Sequence, residues 1–212
     1  TAFCLWGVFP LYFILVREVS PVEVLLHRVI WAVPIAAAII HFRRQWSEIK
    51  DAFKDKITLG YLGASAIFIA GNWLVYIAAV QQEQIFQASL GYYINPLFFA
   101  LAGVVVMGEK LRGTQSLAFV LAAIGVIVLT VSGGEFPAIA LFLGTSFAIY
   151  GVIRKKVMIG PIAGLLVEHA ILLPFAVVWL LFLIVTGKSD FGGGGLVLNA
   201  TLIAAGPISV VP

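Results

Sequence analysis

Two stretches of the sequence decide how this chain is organised. The first is Pro21–Arg28 (PVEVLLHR), followed by Pro34, and the second is Pro161–Glu168 (PIAGLLVE), followed by Pro174. Both prolines and the central Leu-Leu pair coincide at an offset of 140, from Pro21 to Pro161. Because proline is costly inside a helix, matched prolines argue against a chance similarity between apolar segments. The match predicts an internal repeat.

The composition predicts that this repeat lies in a membrane. Of the 212 residues, 62% are hydrophobic and 11% are charged, whereas a soluble domain has roughly a quarter of its residues charged. Lipid must therefore act as part of the solvent. The net charge of +3 does not indicate nucleic acid, because the basic residues lie in short loops between apolar runs. Cys4 is the only cysteine, which excludes an intrachain disulfide.

The apolar runs predict an all-α, polytopic membrane protein. A spanning helix needs about 20 mainly apolar residues, and these runs are far too long for barrel strands. We expect about seven and a half spans, with the first and last runs cut short, at 1–16, 22–41, 57–80, 87–107, 115–132, 137–153, 162–186 and 196–212. Between the second and third runs, Phe42, Trp46, Ile49 and Phe53 recur at helical spacing among charged residues. This pattern favours a helix on the membrane surface, with a partner-binding segment as the alternative.

The repeat is predicted to be inverted. Residues 3–8 (FCLWGV) resemble residues 147–152 (FAIYGV), so the sixth run restarts the first. Five runs, an odd number, make up one copy, and the second copy must enter the membrane in the opposite orientation. We expect one five-helix unit at 1–132 and a second at 137–212, truncated at its third helix; a complete protein would have ten helices. Inverted repeats of this kind are typical of secondary transporters.

The loop charges predict the orientation. Ten Lys and Arg residues lie in the alternate loops 41–56, 108–114 and 154–161, whereas the opposite loops hold only Arg17 and Lys188. Because cytoplasmic loops carry the excess of Lys and Arg, we expect the N-terminus in the cytoplasm.

Ionisable residues inside the predicted spans are candidate functional groups, because they are expensive in a bilayer. The second run begins with Glu23, His27 and Arg28, and the seventh carries Glu168 and His169. Arg28 has the alternative of snorkelling to the interface. Glu168 is deeper and has no Lys or Arg near it in the sequence, which favours a cavity-facing or paired role. The two histidines are weaker signals, although a histidine in water ordinarily titrates near neutral pH.

Polar and aromatic residues also interrupt the third and fourth runs. Asn72 and Trp73 lie at the middle of the third, and Tyr92 and Asn95 precede Pro96 in the fourth. A helix interrupted by proline next to an amide and a phenol suits the wall of a binding cavity. The alternative is interhelical packing, with each amide bonded to a neighbouring helix. We find no nucleophile turn, carboxylate dyad, phosphate loop or metal-ligand spacing in the sequence.

Several strings closely resemble the RarD group of EamA-type transporters, in the drug/metabolite transporter superfamily. They are residues 26–31 (LHRVIW), 71–74 (GNWL), 88–97 (ASLGYYINPL) and 150–156 (YGVIRKK). The resemblance implies ten helices in two inverted repeats and a location in the bacterial inner membrane. It also implies a permease of the chloramphenicol-sensitivity type, without naming a ligand.

The leading hypothesis is a secondary transporter that exports small metabolites or drugs by alternating access, with no enzyme activity and no cofactor. The sequence holds no ATP-binding motif, so we expect a gradient or substrate exchange to supply the energy. The alternatives are a membrane-embedded enzyme acting on lipid or prenyl substrates and a non-transporting sensor. The expected partners are a small molecule and the bilayer. The expected cavity residues are Trp6, Arg28, Asn72, Trp73, Tyr92, Asn95 and Tyr150, and the candidates for proton coupling are Glu168, His27 and His169.

Overall fold

The computed structural model describes residues 2–108, 113–133 and 136–210; the side chains of 2–8, 107, 118, 129 and 133 lie outside the description. Within these residues the chain forms nine α-helices. They are α1 (Ala2–Leu15), α2 (Pro21–Phe42), α3 (Trp46–Lys54), α4 (Lys56–Gln81), α5 (Ile85–Met107), α6 (Gly113–Gly133), α7 (Ala138–Lys155), α8 (Pro161–Val185) and α9 (Gly195–Val210).

Six of these helices, α2 and α4 to α8, are long and apolar enough to cross a membrane. The runs predicted to be cut short form the shorter helices α1 and α9, of 14 and 16 residues. Two of the matched prolines, Pro21 and Pro161, are the first residues of α2 and α8. Proline suits this position because its fixed φ is helical and its missing N–H would have no partner there.

The distribution of polar and apolar side chains is that of a protein in lipid. Glu23, Arg28 and Glu168 are buried, with exposed fractions of 0%, 5% and 2%. By contrast, Phe175 and Val178 on α8 are 73% and 67% exposed. In water, charged side chains would be exposed and large apolar ones buried. The exposed apolar faces therefore require a hydrocarbon solvent.

Helix α2 is at the centre of the fold and packs mainly against α8 and α9, while α7 packs between α4 and α5. Gly206 permits the close approach of α9 to α2, because a Cβ at this position would overlap the backbone of Trp31. Helix α6 packs against α5. The helices that build the centre therefore come from both predicted units.

The predicted surface helix is α3, although it begins only at Trp46. Phe42 belongs to α2, and Ile49 is buried against the core, so the predicted apolar stripe is not a single lipid-facing surface. Glu48 also ties α3 to the start of α8, because its Oε2 accepts a hydrogen bond of 3.0 Å from the amide of Gly160.

Asp55 separates α3 from α4 and caps the N-terminus of α4. Its carboxylate accepts hydrogen bonds from the Ile57 amide at 3.0 Å and from the Thr58 hydroxyl at 2.7 Å. The Thr58 and Ile57 hydrogen bonds lower the pKa of Asp55, because they stabilise its charged form.

Candidate functional site

A cavity of about 350 Å³ lies among seven helices, α1, α2, α4, α5, α7, α8 and α9. It lies within the size range of ordinary small-molecule sites. Six of the residues that we expected in a cavity line it, namely Arg28, Asn72, Trp73, Tyr92, Asn95 and Tyr150. Trp6 lies on α1, and its side chain is outside the described part of the chain.

The cavity wall is largely aromatic. The rings of Tyr76 and Tyr92 meet edge to face, with centroids 5.5 Å apart, and Phe147 stacks on Tyr150 at 5.8 Å. Trp73 adds a further aromatic ring. Such walls bind flat apolar groups by burial and ring contacts.

Arg28 brings a buried positive charge to this wall. Its Nε donates a hydrogen bond of 2.9 Å to the Ser209 hydroxyl, and its guanidinium carbon lies 4.2 Å from the centroid of the Trp73 ring. No carboxylate of the described residues lies within ion-pair distance of Arg28. The snorkelling alternative therefore does not apply here, since the side chain is directed into the protein.

The two asparagines differ in their partners. Asn72 Nδ2 donates to the Leu143 carbonyl and to the Ser146 hydroxyl, both at 2.9 Å, so this amide joins α4 to α7. Interhelical bonding and cavity lining, considered above as alternatives, are combined in Asn72. The Oδ1 atom of Asn95 is buried and has no hydrogen-bond partner among the described residues.

Glu168 lies beside the cavity and has a cation next to it. Its Oε1 accepts a hydrogen bond of 2.6 Å from the Ser65 hydroxyl and lies 3.7 Å from Arg154 Nε. Arg154 lines the cavity and is in the last turn of α7. The count of loop charges assigned Arg154 to a loop, whereas the structure places it on α7. The sequence favoured a cavity-facing or paired role for Glu168 but did not identify Arg154 as the neighbouring cation.

Gly164 leaves room for Arg154. A Cβ on Gly164 would overlap the Arg154 guanidinium, so a larger residue here would displace this side chain from its place against α8. The spacing from Tyr150 to Arg154 is one helical turn, which is the sequence signal that could have placed Arg154 on the same wall.

The two histidines are buried but are not among the residues that line the cavity. His27 Nδ1 accepts a hydrogen bond of 3.1 Å from Trp31 Nε1. The Nδ1 atom of His169 lies 2.8 Å from the Leu165 carbonyl, to which it must donate. In both rings Nε2 is buried without a hydrogen-bond partner among the described residues.

Glu23 binds the connection between α8 and α9. Its carboxylate accepts hydrogen bonds from the Ser189 hydroxyl at 2.5 Å and from the amides of Asp190 and Phe191 at 3.2 Å. Glu23 is therefore bonded to this connection and does not extend into the cavity.

The remaining chemistry of the described residues is limited. They contain no group of three or more His, Cys, Asp or Glu side chains that could hold a metal ion. What the arrangement offers is an aromatic cavity with two guanidinium groups, two amides and one nearby carboxylate.

Comparison with known proteins relates the chain to a family of transporters. Residues 1–131 match the EamA-like transporter family. The chain is 41% identical to the protein RarD of Salmonella typhi over 211 residues, covering 100% of this chain and 72% of that protein. It is 40% identical to RarD of Escherichia coli, with 100% and 71% covered, and 38% identical to an uncharacterized transporter of Vibrio cholerae, with 100% and 70% covered. No solved structure matches the chain.

Proposed function

Since the chain belongs to the EamA-like transporter family, which is not an enzyme family, we propose that it is a secondary transporter that exports small metabolites or drugs through this cavity. The observation that carries the proposal is the cavity itself. Its lining combines residues of α2, α4 and α5 with residues of α7, α8 and α9. A site at the interface of two units is accessible from either side of the membrane if the units rock against each other.

Two hydrogen bonds support an inverted repeat with units at 1–132 and 137–212. Arg28 and Glu168 are equivalent at the offset of 140, and Ser65 and Ser209 are equivalent at an offset of 144, the shift that relates the first helices. Arg28 bonds to Ser209, and Glu168 accepts a bond from Ser65. Each unit therefore directs a charged residue to a serine of the other unit: Arg28 on α2 bonds to α9, and Glu168 on α8 bonds to α4.

Some of the helix contacts have the same symmetry. α2 packs against α9, and its counterpart α8 packs against α4; α2 and α8, which are equivalent, pack against each other. A twofold relation between the units generates this pattern. In a transporter, such self-matching contacts allow one unit to rotate on the other with little change in packing.

The proposed orientation has the N-terminus in the cytoplasm of a bacterial cell, with the chain in the inner membrane. The excess of Lys and Arg in alternate loops favours this orientation, and the named relatives are bacterial. Arg17, for example, lies in the sparsely charged connection between α1 and α2, on the proposed outer side.

Glu168 is the proposed proton-coupling residue. It is buried, and Arg154 is the only cation within 4.0 Å of it among the described side chains. Movement of Arg154 towards a substrate would leave a buried carboxylate without its cation, and taking up a proton removes that cost. His27 and His169 are less favoured in this role, because neither lines the cavity.

Transport by the full-length protein in liposomes tests the proposal. A panel of amino acids and drugs, chloramphenicol included, is supplied with and without a proton gradient, and we expect gradient-driven movement of at least one compound. E168Q is expected to abolish the gradient dependence, whereas E18Q, at an exposed position outside the cavity, leaves it intact. Failure to move any compound would count against transport, and an unchanged gradient dependence in E168Q would remove Glu168 as the coupling residue.

A further inference from the structure

The charges around the cavity are unbalanced. Arg28 and Arg154 both line it, whereas Glu168 is the one carboxylate within ion-pair distance of either guanidinium among the described residues. Glu168 lies beside Arg154, so no carboxylate in the described part of the chain is paired with Arg28. Glu23, five residues from Arg28 on α2, is bonded to the connection at 189–191 and is not within ion-pair distance of Arg28.

The surroundings of Arg28 hold the cation without neutralising it. Trp73 lies against the guanidinium, Phe13 lies 5.5 Å from it, and the hydroxyl of Ser209 accepts one hydrogen bond. These contacts fix the planar group but leave its charge uncompensated, and a buried cation without an anion is costly. An anionic ligand removes that cost and accepts two parallel hydrogen bonds from the guanidinium.

The same cavity disfavours an ammonium group. An ammonium needs a carboxylate or several acceptors once it leaves water. Glu168 is already engaged by Ser65 and Arg154, and the two guanidinium groups would repel the ammonium group of a ligand. The aromatic wall, in which Trp73 lies against Arg28 and Tyr92 adds a phenol, suits a flat apolar body next to the anion.

We propose that the cavity selects organic monoanions that have an aromatic body and no ammonium group, and that Arg28 binds the anionic end. This inference rests on the proposed function, since it names the substrate class of the same cavity. The proposal predicts that the cavity binds an aromatic carboxylic acid more tightly than the amino acid that has the same carbon skeleton.

Three probes with one skeleton test the proposal, namely 3-phenylpropanoate, its neutral amide 3-phenylpropanamide, and phenylalanine. Their affinities for the full-length protein in detergent are measured by calorimetry at pH 7.5. A charge-assisted bond to a buried guanidinium predicts that the anion binds about ten- to hundredfold more tightly than the amide or phenylalanine. Equal affinity for the amide or for phenylalanine, or no binding of any probe, overturns the proposed class.

Variants of Arg28 test which residue holds the anion. R28Q is expected to bind the anion no better than the amide, and measurable binding of the amide reports that the aromatic part of the cavity is intact. R28K retains part of the preference, because lysine keeps the charge but lacks the planar fork. R17Q removes a cation at an exposed position and serves as the matched control. A preference for the anion that persists in R28Q would overturn the assignment to Arg28.

These binding results are separable from transport. A protein that prefers the anion but moves nothing across liposomes contradicts the proposed function and leaves the ligand class in place. A protein that transports neutral compounds or amino acids and shows no preference for the anion contradicts the ligand class alone. If R28Q does not fold, the three affinities of the unmodified protein and those of R28K still decide the proposal.

Discussion

Replacing Ser65 with alanine is expected to destabilise the protein through Glu168. The Ser65 hydroxyl donates to Glu168 Oε1 over 2.6 Å, and the two residues are 0% and 2% exposed. Water therefore does not reach the carboxylate to replace the lost donor. The other neighbour of that oxygen, Arg154, is 3.7 Å away and too distant for a good hydrogen bond.

The magnitude follows from the charge on the acceptor. Interhelical hydrogen bonds between neutral groups in a membrane contribute about 0.6 kcal/mol on average and about 1.7 kcal/mol at most. Hydrogen bonds to charged groups contribute about 1.5–3 kcal/mol. For a buried carboxylate in a membrane protein we expect the overlap of these ranges, so S65A should lower the free energy of unfolding by about 1.5 kcal/mol.

A double-mutant cycle separates this hydrogen bond from other effects of the substitution. Unfolding free energies of the unmodified protein, S65A, E168Q and S65A/E168Q are measured by titration with SDS in mixed micelles. When the acceptor is the neutral side-chain amide of the E168Q variant, loss of the hydroxyl should cost only about 0.6 kcal/mol, leaving a coupling energy of about 1 kcal/mol. S89A, at an exposed serine on α5, is the control and should change little. If S65A lowers the free energy of unfolding equally in both backgrounds, the hydrogen bond is not strengthened by the charge of Glu168, and the reasoning fails.

Three further predictions concern other parts of the fold. G206A should lower the free energy of unfolding by about 1–3 kcal/mol, because the new Cβ overlaps the backbone of α2. G63A should leave the free energy of unfolding nearly unchanged, because its Cβ would meet nothing within 4 Å. If G63A and G206A destabilise the protein equally, the close approach of α9 to α2 at Gly206 is contradicted. D55A should be less stable than the unmodified protein at pH 6, and the difference should shrink below about pH 4. The sign follows from the lowered pKa of Asp55 in the folded protein. The charged carboxylate contributes its full stability at a pH above the pKa of Asp55 in the unfolded chain, and this stability is lost as the carboxylate is protonated. A stability difference that does not change with pH would contradict this. E23A should speed hydrogen exchange of the amides at 190 and 191, which donate to Glu23, and unchanged rates would show that these bonds do not hold the connection.

Much of the fold and of the candidate site could be predicted because the signals are local. Membrane helices are long and uniformly apolar, so their number and approximate bounds follow from the composition of each run. Within such runs a polar or aromatic side chain is unusual enough to be conspicuous. This is why Asn72, Tyr92 and Asn95 were identified before the structure brought them to one cavity.

What could not be predicted depends on pairs that are distant in sequence or on residues next to a stronger signal. Arg154 precedes two lysines, so the charge rule assigns it to a loop, whereas its long side chain lies beside Glu168 on α8. Ser65 and Ser209 are small and common, and only their partners make them notable. The bond between Glu23 and Ser189 joins residues 166 positions apart, which no local pattern indicates.

Arg28 and Glu168 show how a symmetric scaffold can bind one ligand at a single site. In the proposed repeat they occupy equivalent positions and bond to equivalent serines, yet they carry opposite charges. Two arginines at these positions would make both units bind anions, and two glutamates would leave Arg154 as the one cation of the described cavity lining. With one of each, the two proposed roles are divided: Arg28 in one unit binds the anion, and Glu168 in the other takes up the proton. Because both units meet at α2 and α8, a change of charge in one half alters the contacts of the other, which is what coupling requires.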